Sequence, residues 1–226
     1  FVLDDGWFGN RNSDSSGLGD WYVNEKKLVG GLTAVIDRCK MNGLKFGLWF
    51  EPEMVSPDSD LYRTHPDWVI HKDGIDPIRG RRQLVLDFTR QEVVDYIFRV
   101  IADILRSNDI SYVKWDMNRF ITECYSASLP SYRQGEFMHR YILGVYELAN
   151  RLTTEFPKVF FEGYAGGGGR FDAGMLYYFP QIWTSDDTDG YERAKIQWGT
   201  SLCYPVSGMS CHVSACPNHQ PGRTTP

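Results

Sequence analysis

The sequence has 226 residues, of which 42% are hydrophobic and 23% are charged, a balance that fits one globular domain with a large core. Its net charge of −5 argues against nucleic acid or an anionic membrane as a partner, because binding to either needs a basic face. No apolar run in the sequence reaches the roughly 18 residues of a membrane-spanning helix.

Short apolar runs that end in polar residues recur along the chain and predict β-strands. The first run begins at Phe1, so we interpret the sequence as a piece of a longer chain. Amphipathic patterns of helical period lie between the runs, at residues 28–43, 90–109 and 136–156. The predicted strands, in chain order, are "FVLDD" (1–5), "KFGLWFE" (45–51), "SYVKWD" (111–116), "KVFFEG" (158–163), "QIWTSDD" (181–187) and "LCYPVSG" (202–208). Their alternation with helices predicts a parallel sheet with helical crossovers.

The polar residues at the strand ends favour one parallel architecture. In a (β/α)8 barrel the active site is built from several strand ends at the carboxyl face, whereas a doubly wound sheet binds its ligand at one switch point, usually behind a Gly-rich loop. No such loop follows the first strand here. We therefore predict an α/β fold, part of a (β/α)8 TIM barrel over residues 1–226, incomplete because only about six strands are visible of the usual eight.

The stretch "SYVKWD" carries a lysine and an aspartate at the end of an apolar strand. Since side chains alternate between the faces of a strand, Tyr112, Lys114 and Asp116 share one face, and Val113 and Trp115 share the other. We expect Lys114 and Asp116 to point into the barrel mouth, where Lys114 favours the ionised form of Asp116. A purely structural ion pair is the alternative.

Carboxyl groups also follow three other predicted strands. Each has a plain alternative role, such as a helix cap near Tyr191 for Asp187 or Asp189. Together on one rim they would repel one another unless a ligand or a metal used them. With nearby Lys, Arg and Trp side chains they suit a polyhydroxylated ligand, on which Trp49 or Trp183 can stack. These acids are Asp4, Asp5, Glu51, Glu53, Asp186, Asp187 and Asp189.

Cleavage of a glycosidic bond needs two carboxyl groups, one ionised and one protonated, on opposite sides of the anomeric carbon. Asp116 fits the ionised group, given Lys114 beside it. Asp186 fits the protonated group, and we expect partial burial and the negative Asp116 to keep its proton in place.

Six motifs, "LDDGWFG", "WFEPEM", "YVKWDMNR", "GGGGRFD", "WTSDDTD" and "HVSACPNHQ…GR", occur in order over essentially the whole chain. This set closely resembles the catalytic barrel of glycoside hydrolase family 36, the α-galactosidases. The resemblance implies a retaining, exo-acting α-galactosidase with Asp116 as nucleophile and Asp186 as acid/base. It also implies flanking β-sandwich domains outside this chain, which often shape the oligomer, so we expect a homo-oligomer of the intact protein.

The resemblance further implies which residues contact the sugar. Asp4 and Asp5 would bind the hydroxyl groups that distinguish galactose. Trp49, Lys114 and Asn118 would be additional contacts. Among the arginines of "RGRRQ", Arg79, Arg81 and Arg82, the motif match selects Arg81.

The glycine run 166–169 is typical of backbone that approaches a ligand closely, which adds Gly166 and Gly167 to the substrate-binding candidates together with Trp183. A phosphate cradle is the rival interpretation, but no Lys-Ser/Thr follows the run. Many bacterial members of the family carry a Ser-Cys pair before the run, thought to face the C2 substituent, where this chain has Gly163 and Tyr164. An α-N-acetylgalactosaminidase therefore stays open as an alternative.

Three further functions would draw on this set of acids in a different way. A raffinose-family transglycosylase would use the same two aspartates with a sugar acceptor, and a sugar-binding homologue would use neither for catalysis. A metallohydrolase would need His212 and His219 as ligands, but Lys114 would compete with the metal for the carboxylates. We expect no metal and no cofactor. Five scattered cysteines are typical of reduced thiols, so the expected compartment is the cytoplasm.

Overall fold

A computed structural model of the chain describes residues 1–215. Over these residues six strands form one sheet in the order β1-β2-β5-β6-β7-β8, and every neighbouring pair is parallel. The strands are β1 Val2–Leu3, β2 Gly47–Phe50, β5 Tyr112–Trp115, β6 Phe160–Gly163, β7 Gln181–Trp183 and β8 Met209–Ser210. A separate antiparallel pair is formed by β3 Met54–Val55 and β4 Leu84–Val85.

Helices connect the strands of the parallel sheet. They are α1 Gly31–Met41, α2 Asp60–Thr64, α3 Gln91–Ser107, α4 Phe137–Glu155, α5 Ala173–Tyr178 and α6 Gly190–Ser201, with short 3-10 helices at Pro66–Trp68, Ser131–Glu136 and Val206–Gly208. The predicted cap of the last α-helix is confirmed, since the Asp189 carboxylate accepts the Tyr191 N–H at 3.0 Å. Within residues 1–215 we find no helix with the length and apolar character that a membrane span requires.

This arrangement is part of a (β/α)8 barrel, as predicted, and five of the six predicted strands contain the observed ones. The prediction for 202–208 is wrong: Pro205 lacks an N–H, residues Val206–Gly208 form a 3-10 helix, and the strand follows at Met209–Ser210. The antiparallel β3–β4 pair was not predicted because each of its strands is two residues long, too short for a periodic pattern.

The register of the sheet decides which side chains share a face. Leu48, Val113 and Phe161 are aligned across β2, β5 and β6, and all three are buried. The next position along aligns Trp49 and Lys114 with a glutamate of β6, so these side chains project from the opposite face. The predicted separation of Lys114 from the apolar face of β5 is therefore confirmed.

Helices α3 and α4 pack against each other, and Gly144 of α4 lies where the chain passes closest. A Cβ atom at Gly144 would lie 2.0 Å from the carbonyl oxygen of Phe88, which precedes α3. The absence of a side chain therefore sets how closely α4 approaches this backbone, and the ring of Tyr141 from the same helix packs against that of Phe88 at 5.7 Å between centroids.

We expect Gly144→Ala to destabilise the intact protein by about 1–3 kcal/mol, because the clash exceeds the gain in helix propensity. Thermal unfolding should show a lower melting temperature than that of the wild-type protein. Gly199→Ala is the matched control, since the same change inside α6 meets no atom within 4 Å. Equal melting temperatures for the two variants would contradict the packing argument.

Candidate active site at the carboxyl ends of the strands

Asp116 follows β5 and is 4% exposed, with hydrogen-bond donors on both carboxylate oxygens. Oδ1 accepts the Met117 N–H at 2.7 Å, and Oδ2 accepts the Trp49 indole N–H at 3.0 Å and the side-chain amide of Asn118. The structure thus brings together three of the predicted site residues. Three donors aimed at one buried carboxyl group favour its ionised form and fix its orientation.

Opposing effects act on the charge of Asp116. Burial raises its pKa above the ordinary value, while the hydrogen bonds from Asn118 and Trp49 and the charge of Lys114 lower it. Lys114 therefore acts in the predicted direction, but its direct ion pair is with Asp4, at 3.0 Å between Nζ and Oδ2. The alternative, a purely structural ion pair between Lys114 and Asp116, does not describe the arrangement, since the hydrogen bonds to Asp116 come from neutral groups.

The two predicted tryptophan platforms differ in accessibility. Trp49 is 2% exposed and packs in the aromatic cluster with Phe8 and Trp21, so its ring faces are not open to a sugar. Its contribution at the site is the N–H donated to Asp116. Trp183 is only partly buried, and one face of its ring stacks on His212 at 4.5 Å between centroids. Of the two, Trp183 is the one suited to contact a ligand.

Glu51 is a buried acid that lies next to Asp116, and the sequence pattern showed it only as one of the rim acids. It is 0% exposed, and its oxygens accept the Asn118 backbone N–H and, at 3.1 Å, the side-chain amide of Gln83. Burial, reinforced by the negative charge of Asp116, raises the pKa of Glu51 well above its ordinary value. Asn118 therefore donates to both acids, its backbone to Glu51 and its side chain to Asp116.

Asp186 follows β7 and lies exposed on the rim, so the expected partial burial is wrong for this chain. Oδ1 accepts the indole N–H of Trp183 at 3.1 Å, and Oδ2 accepts the hydroxyl of Tyr164. The Lys114 ammonium lies 4.8 Å from the centre of the Tyr164 ring and 5.7 Å from that of Trp183. Lys114 thus lies between Asp4, with which it pairs, and the two aromatic side chains that donate to Asp186.

Asp5, the other acid of the first motif, forms a bidentate pair with the buried Arg11, at 2.9 Å from Nε and 2.8 Å from Nη2. The two neighbouring aspartates therefore have different partners, since Asp4 pairs with Lys114. Arg11 was not predicted as a site residue, because its contact depends on the fold of the loop between β1 and α1.

The glycine run that follows β6 has a packing role as well as an open position. Gly167 has a φ of +93°, and a Cβ there would lie 3.0 Å from the Ser185 Cα, while a Cβ at Gly168 would lie 2.8 Å from the Thr184 carbonyl oxygen. These glycines let the loop contact the chain beyond β7. Gly166 has a φ of +55°, and no atom of the described residues 1–215 lies within 4 Å of where its Cβ would be, so its backbone is the part of the run that a ligand can approach.

Arg170, directly after the glycine run, anchors the loop to Glu53. Its guanidinium donates to both Glu53 oxygens at 2.7 and 3.0 Å, and Glu53 also accepts the Trp115 indole N–H and the Tyr141 hydroxyl. Glu53 is 0% exposed. This buried network connects four segments of the chain, and the motifs "WFEPEM" and "GGGGRFD" contained both charged partners without showing that they meet.

Arg81 lies in a strained hairpin turn. Gly80 and Gln83 exchange backbone hydrogen bonds of 3.1 and 2.8 Å, and between them Arg81 and Arg82 have φ values of +49° and +62°. Positive φ at both central positions is the pattern of a type I′ turn, which normally selects asparagine or glycine. Arg119, buried beyond β5, holds the turn by donating to the carbonyl groups of Ile78 and Gln83.

The charge of Arg81 lowers the pKa of both Glu51 and Tyr164, which places its guanidinium on the site side of the turn. Arg82 instead pairs with Asp14 at 3.0 Å on the surface. Backbone strain of this kind is typical of functional sites, but Arg81 and Arg82 share it. The different surroundings of the two guanidinium groups, not the strain, distinguish Arg81 from Arg82.

The metal alternative finds no support in the part of the chain that the structure describes, where no group of three His, Cys, Asp or Glu side chains is arranged to hold a metal ion. His212 stacks on Trp183 instead. His219 and the motif segment around it lie outside the described residues.

Residues 1–226 match the protein-family model described as Melibiase. The chain belongs to the melibiase family. It is 57% identical over 222 residues to the α-galactosidase AgaA of Geobacillus stearothermophilus, covering 98% of this chain and 30% of that protein. It is 56% identical over 226 residues to the α-galactosidase Mel36A of Lactobacillus acidophilus, covering 100% of this chain and 31% of that protein. The resemblance inferred from the motifs is confirmed.

A crystal structure of a variant of the GH36 α-galactosidase AgaA from Geobacillus stearothermophilus in complex with raffinose has a TM-score of 0.97 to this chain at 56% identity. The match covers 100% of this chain and 31% of that one. The melibiase-family chain therefore spans about a third of the length of the curated relatives it matches.

Arg81 and Arg82 allow a paired test of the strained turn. Replacing either by glycine removes the strain at a positive φ, so Arg81→Gly and Arg82→Gly should leave the melting temperature of the intact protein unchanged or slightly raised. Only Arg81→Gly should lower kcat/KM for an α-galactoside, by about 10- to 100-fold, the value of a charged hydrogen bond. Equal activity of both variants would exclude Arg81 as a sugar contact.

Glu51→Gln tests the buried acid through stability. A glutamate whose pKa is raised by folding loses stability as the pH rises from its ordinary pKa, about 4.3, towards the folded value, because only the unfolded chain ionises freely. The variant lacks this loss, so its melting temperature relative to wild type should rise between pH 5 and pH 7.5, by the equivalent of about 1–3 kcal/mol.

The substitution keeps the local hydrogen bonds. The new amide oxygen accepts the Asn118 N–H, and the amide of Gln83, whose Oε1 has no partner, turns over to accept the new N–H group. A difference in melting temperature that stays constant with pH would mean that Glu51 is not held neutral.

Proposed function

We propose that the intact protein is a retaining, exo-acting α-galactosidase that hydrolyses terminal α-galactosides of oligosaccharides of the raffinose and melibiose type. The observation that carries the proposal is the placement of Asp116 and Asp186 at the carboxyl ends of β5 and β7, on either side of β6. Asp116 is buried among donors and Asp186 is exposed, so the two carboxyl groups have unequal environments. The donors around Asp116 favour its ionised form, as a nucleophile requires, and the exposed position of Asp186 allows it to exchange protons with water, as an acid/base requires.

In the first step an Asp116 oxygen attacks the anomeric carbon and forms a covalent glycosyl-enzyme bond. The bond from the anomeric carbon to the departing oxygen breaks, and Asp186 transfers its proton to that oxygen. The donors around Asp116 orient the attacking carboxylate, and Trp183 orients Asp186 through its indole N–H.

In the second step a water molecule replaces the departed group. Asp186, now ionised, takes a proton from this water as its oxygen attacks the anomeric carbon, and the bond to Asp116 breaks. Two inversions return galactose in the α configuration. Asp186 is again protonated and Asp116 is again a carboxylate, so the cycle closes.

Recognition of the sugar is assigned to the polar side chains around Lys114. Lys114 and Asp4 form a partly exposed ion pair, and their remaining N–H groups and lone pairs suit hydrogen bonds with sugar hydroxyl groups. Asp5, Arg81 and Asn118 are the other proposed sugar contacts. A cleft of about 470 Å³, lined in part by Asn118, Phe120 and Gly166, adjoins the site and offers space for the rest of an oligosaccharide.

The position of Tyr164 bears on the C2 preference. A tyrosine is larger than the cysteine that many bacterial members carry there, so it narrows the space beside C2 and favours the hydroxyl group of galactose over an acetamido group. We propose hydrolysis rather than transfer, with the raffinose complex of AgaA as support for an oligosaccharide substrate. Flanking β-sandwich domains, a homo-oligomeric assembly and a cytoplasmic location complete the proposal, and the free thiols of Cys39, Cys124, Cys203 and Cys211 support the last.

The first test uses nitrophenyl α-galactoside and nitrophenyl α-N-acetylgalactosaminide with the intact wild-type protein and with Asp116→Ala. We expect turnover of the galactoside alone, and a loss of kcat of at least ~10³-fold in the variant, as for other removed nucleophiles. Asp109→Ala is the matched control, because its pair with Lys40 is an exposed surface ion pair at 2.8 Å.

Proton NMR of the first-formed sugar gives the stereochemistry, and α-galactose is expected. β-Galactose as first product would replace retention by inversion, and near-normal turnover by Asp116→Ala would show that the nucleophile is misassigned. Turnover of the acetamido sugar would favour the N-acetylgalactosaminidase, and turnover of neither substrate by a folded protein would favour transfer or sugar binding.

A further inference from the structure

Tyr164 occupies a position between the two acids. Its backbone N–H donates to the Trp115 carbonyl at 2.8 Å, which continues the pairing of β5 with β6 by one residue and places Tyr164 beside Asp116. Since side chains alternate along a strand, Tyr164 projects from the same face as Lys114 and Asp116. It is 6% exposed although it lies at the end of its strand.

The tyrosine ring is held on two sides and its hydroxyl is aimed at Asp186. Lys114 Nζ lies 4.8 Å from the ring centre, and the Trp183 ring is 6.2 Å away, tilted by 58°. The hydroxyl donates to Asp186 Oδ2, while the Trp183 indole donates to Oδ1. Each oxygen of the exposed carboxylate therefore has a donor from a different strand end.

We propose that Tyr164 is a positioning residue for Asp186: its hydroxyl group holds the ionised carboxylate in the orientation from which Asp186 exchanges a proton above Asp116. This inference rests on the proposed function of the site. A donor to a carboxylate favours its charged form and fixes the direction of its lone pairs.

The Tyr164 hydroxyl stays protonated, and so remains a hydrogen-bond donor, throughout the pH range in which the enzyme works. Burial, together with the hydrogen bond to Asp186 and the charge of Asp116, raises the pKa of its hydroxyl far above the ordinary value of about 10. The phenol therefore does not titrate with the acids, and its effect on Asp186 is constant with pH.

Several charged and titratable groups face Asp186 and Tyr164 from other elements. They are Asp116 and Lys114 from β5, Arg81 from the hairpin turn, Arg193 from α6, and His212 after β8. Burial lowers the pKa of His212 below its ordinary value, and the charge of Asp186 opposes this. Tyr164→Phe keeps all of these groups and the ring contacts, so its effect isolates the hydroxyl.

Two readouts on the intact protein carrying Tyr164→Phe separate positioning from general damage. The alkaline limb of the kcat/KM–pH profile, which reports loss of the acid proton, should move to higher pH, because the carboxylate loses a donor. The loss of kcat/KM should also depend on the leaving group: about tenfold or more for melibiose, which needs protonation of the departing oxygen, and much smaller for a dinitrophenyl galactoside.

Tyr22→Phe is the matched control, since it removes a tyrosine–aspartate hydrogen bond of 3.0 Å, to Asp60, on the exposed surface. It should change neither readout. His212→Gln in the wild-type and the Tyr164→Phe backgrounds should leave the shift between the two unchanged, which assigns the limb to Asp186.

An equal loss on both substrates with an unmoved alkaline limb would overturn the positioning role of Tyr164. That result differs from failure of the proposed function, in which the wild-type protein itself would hydrolyse neither galactoside. A limb that moves to higher pH with a leaving-group-dependent loss supports the assignment.

Discussion

Two carboxyl groups, Asp116 and Glu51, are buried side by side at the ends of neighbouring strands, and the organisation of the site follows from this constraint. Two adjacent buried negative charges would repel strongly in a medium of low dielectric constant. Burial raises the pKa of both groups, and at Asp116 the donors Asn118, Trp49 and Met117 oppose this rise. Asn118, which donates to both, holds the acids in fixed relative positions.

Lys114 is the charged centre around which the exposed half of the site is arranged. Its ammonium pairs with Asp4, which follows β1, and lies near the rings of Tyr164, which follows β6, and Trp183, the last residue of β7. One cation thus contacts groups from three other segments of the chain. Because aromatic rings attract a cation weakly and leave its donors free, Lys114 retains hydrogen-bonding capacity for a ligand.

A third buried carboxyl group, Glu53, is stabilised in a different way. It is neutralised by the bidentate Arg170 and satisfied by Trp115 and Tyr141. A buried pair of this kind contributes little net stability, but removal of either partner would leave an uncompensated charge. The Glu53–Arg170 pair instead fixes the position of the glycine run against the sheet. The glycines of this run contact the chain that follows β7.

Local patterns were enough to predict five strands, three long helices and the acids at the strand ends, because alternation and helical period are properties of neighbouring residues. The same alternation placed Lys114 and Asp116 on one face. The sequence alone also carried the motifs that identify the family. The strand near 202–208 was misplaced because its apolar residues are interrupted by Pro205, which the periodic pattern ignores.

Only the tertiary structure decided which charges meet. Lys114 pairs with Asp4, 110 residues earlier, Glu53 meets Arg170, 117 residues later, and Trp49 turned out to be a buried donor rather than a stacking platform. Tyr164 contacts Asp186 because β6 lies between β5 and β7 in the sheet. Strand order and register are set by the packing of the whole chain. A local sequence pattern contains no information on which distant residues become neighbours, so it does not predict these contacts.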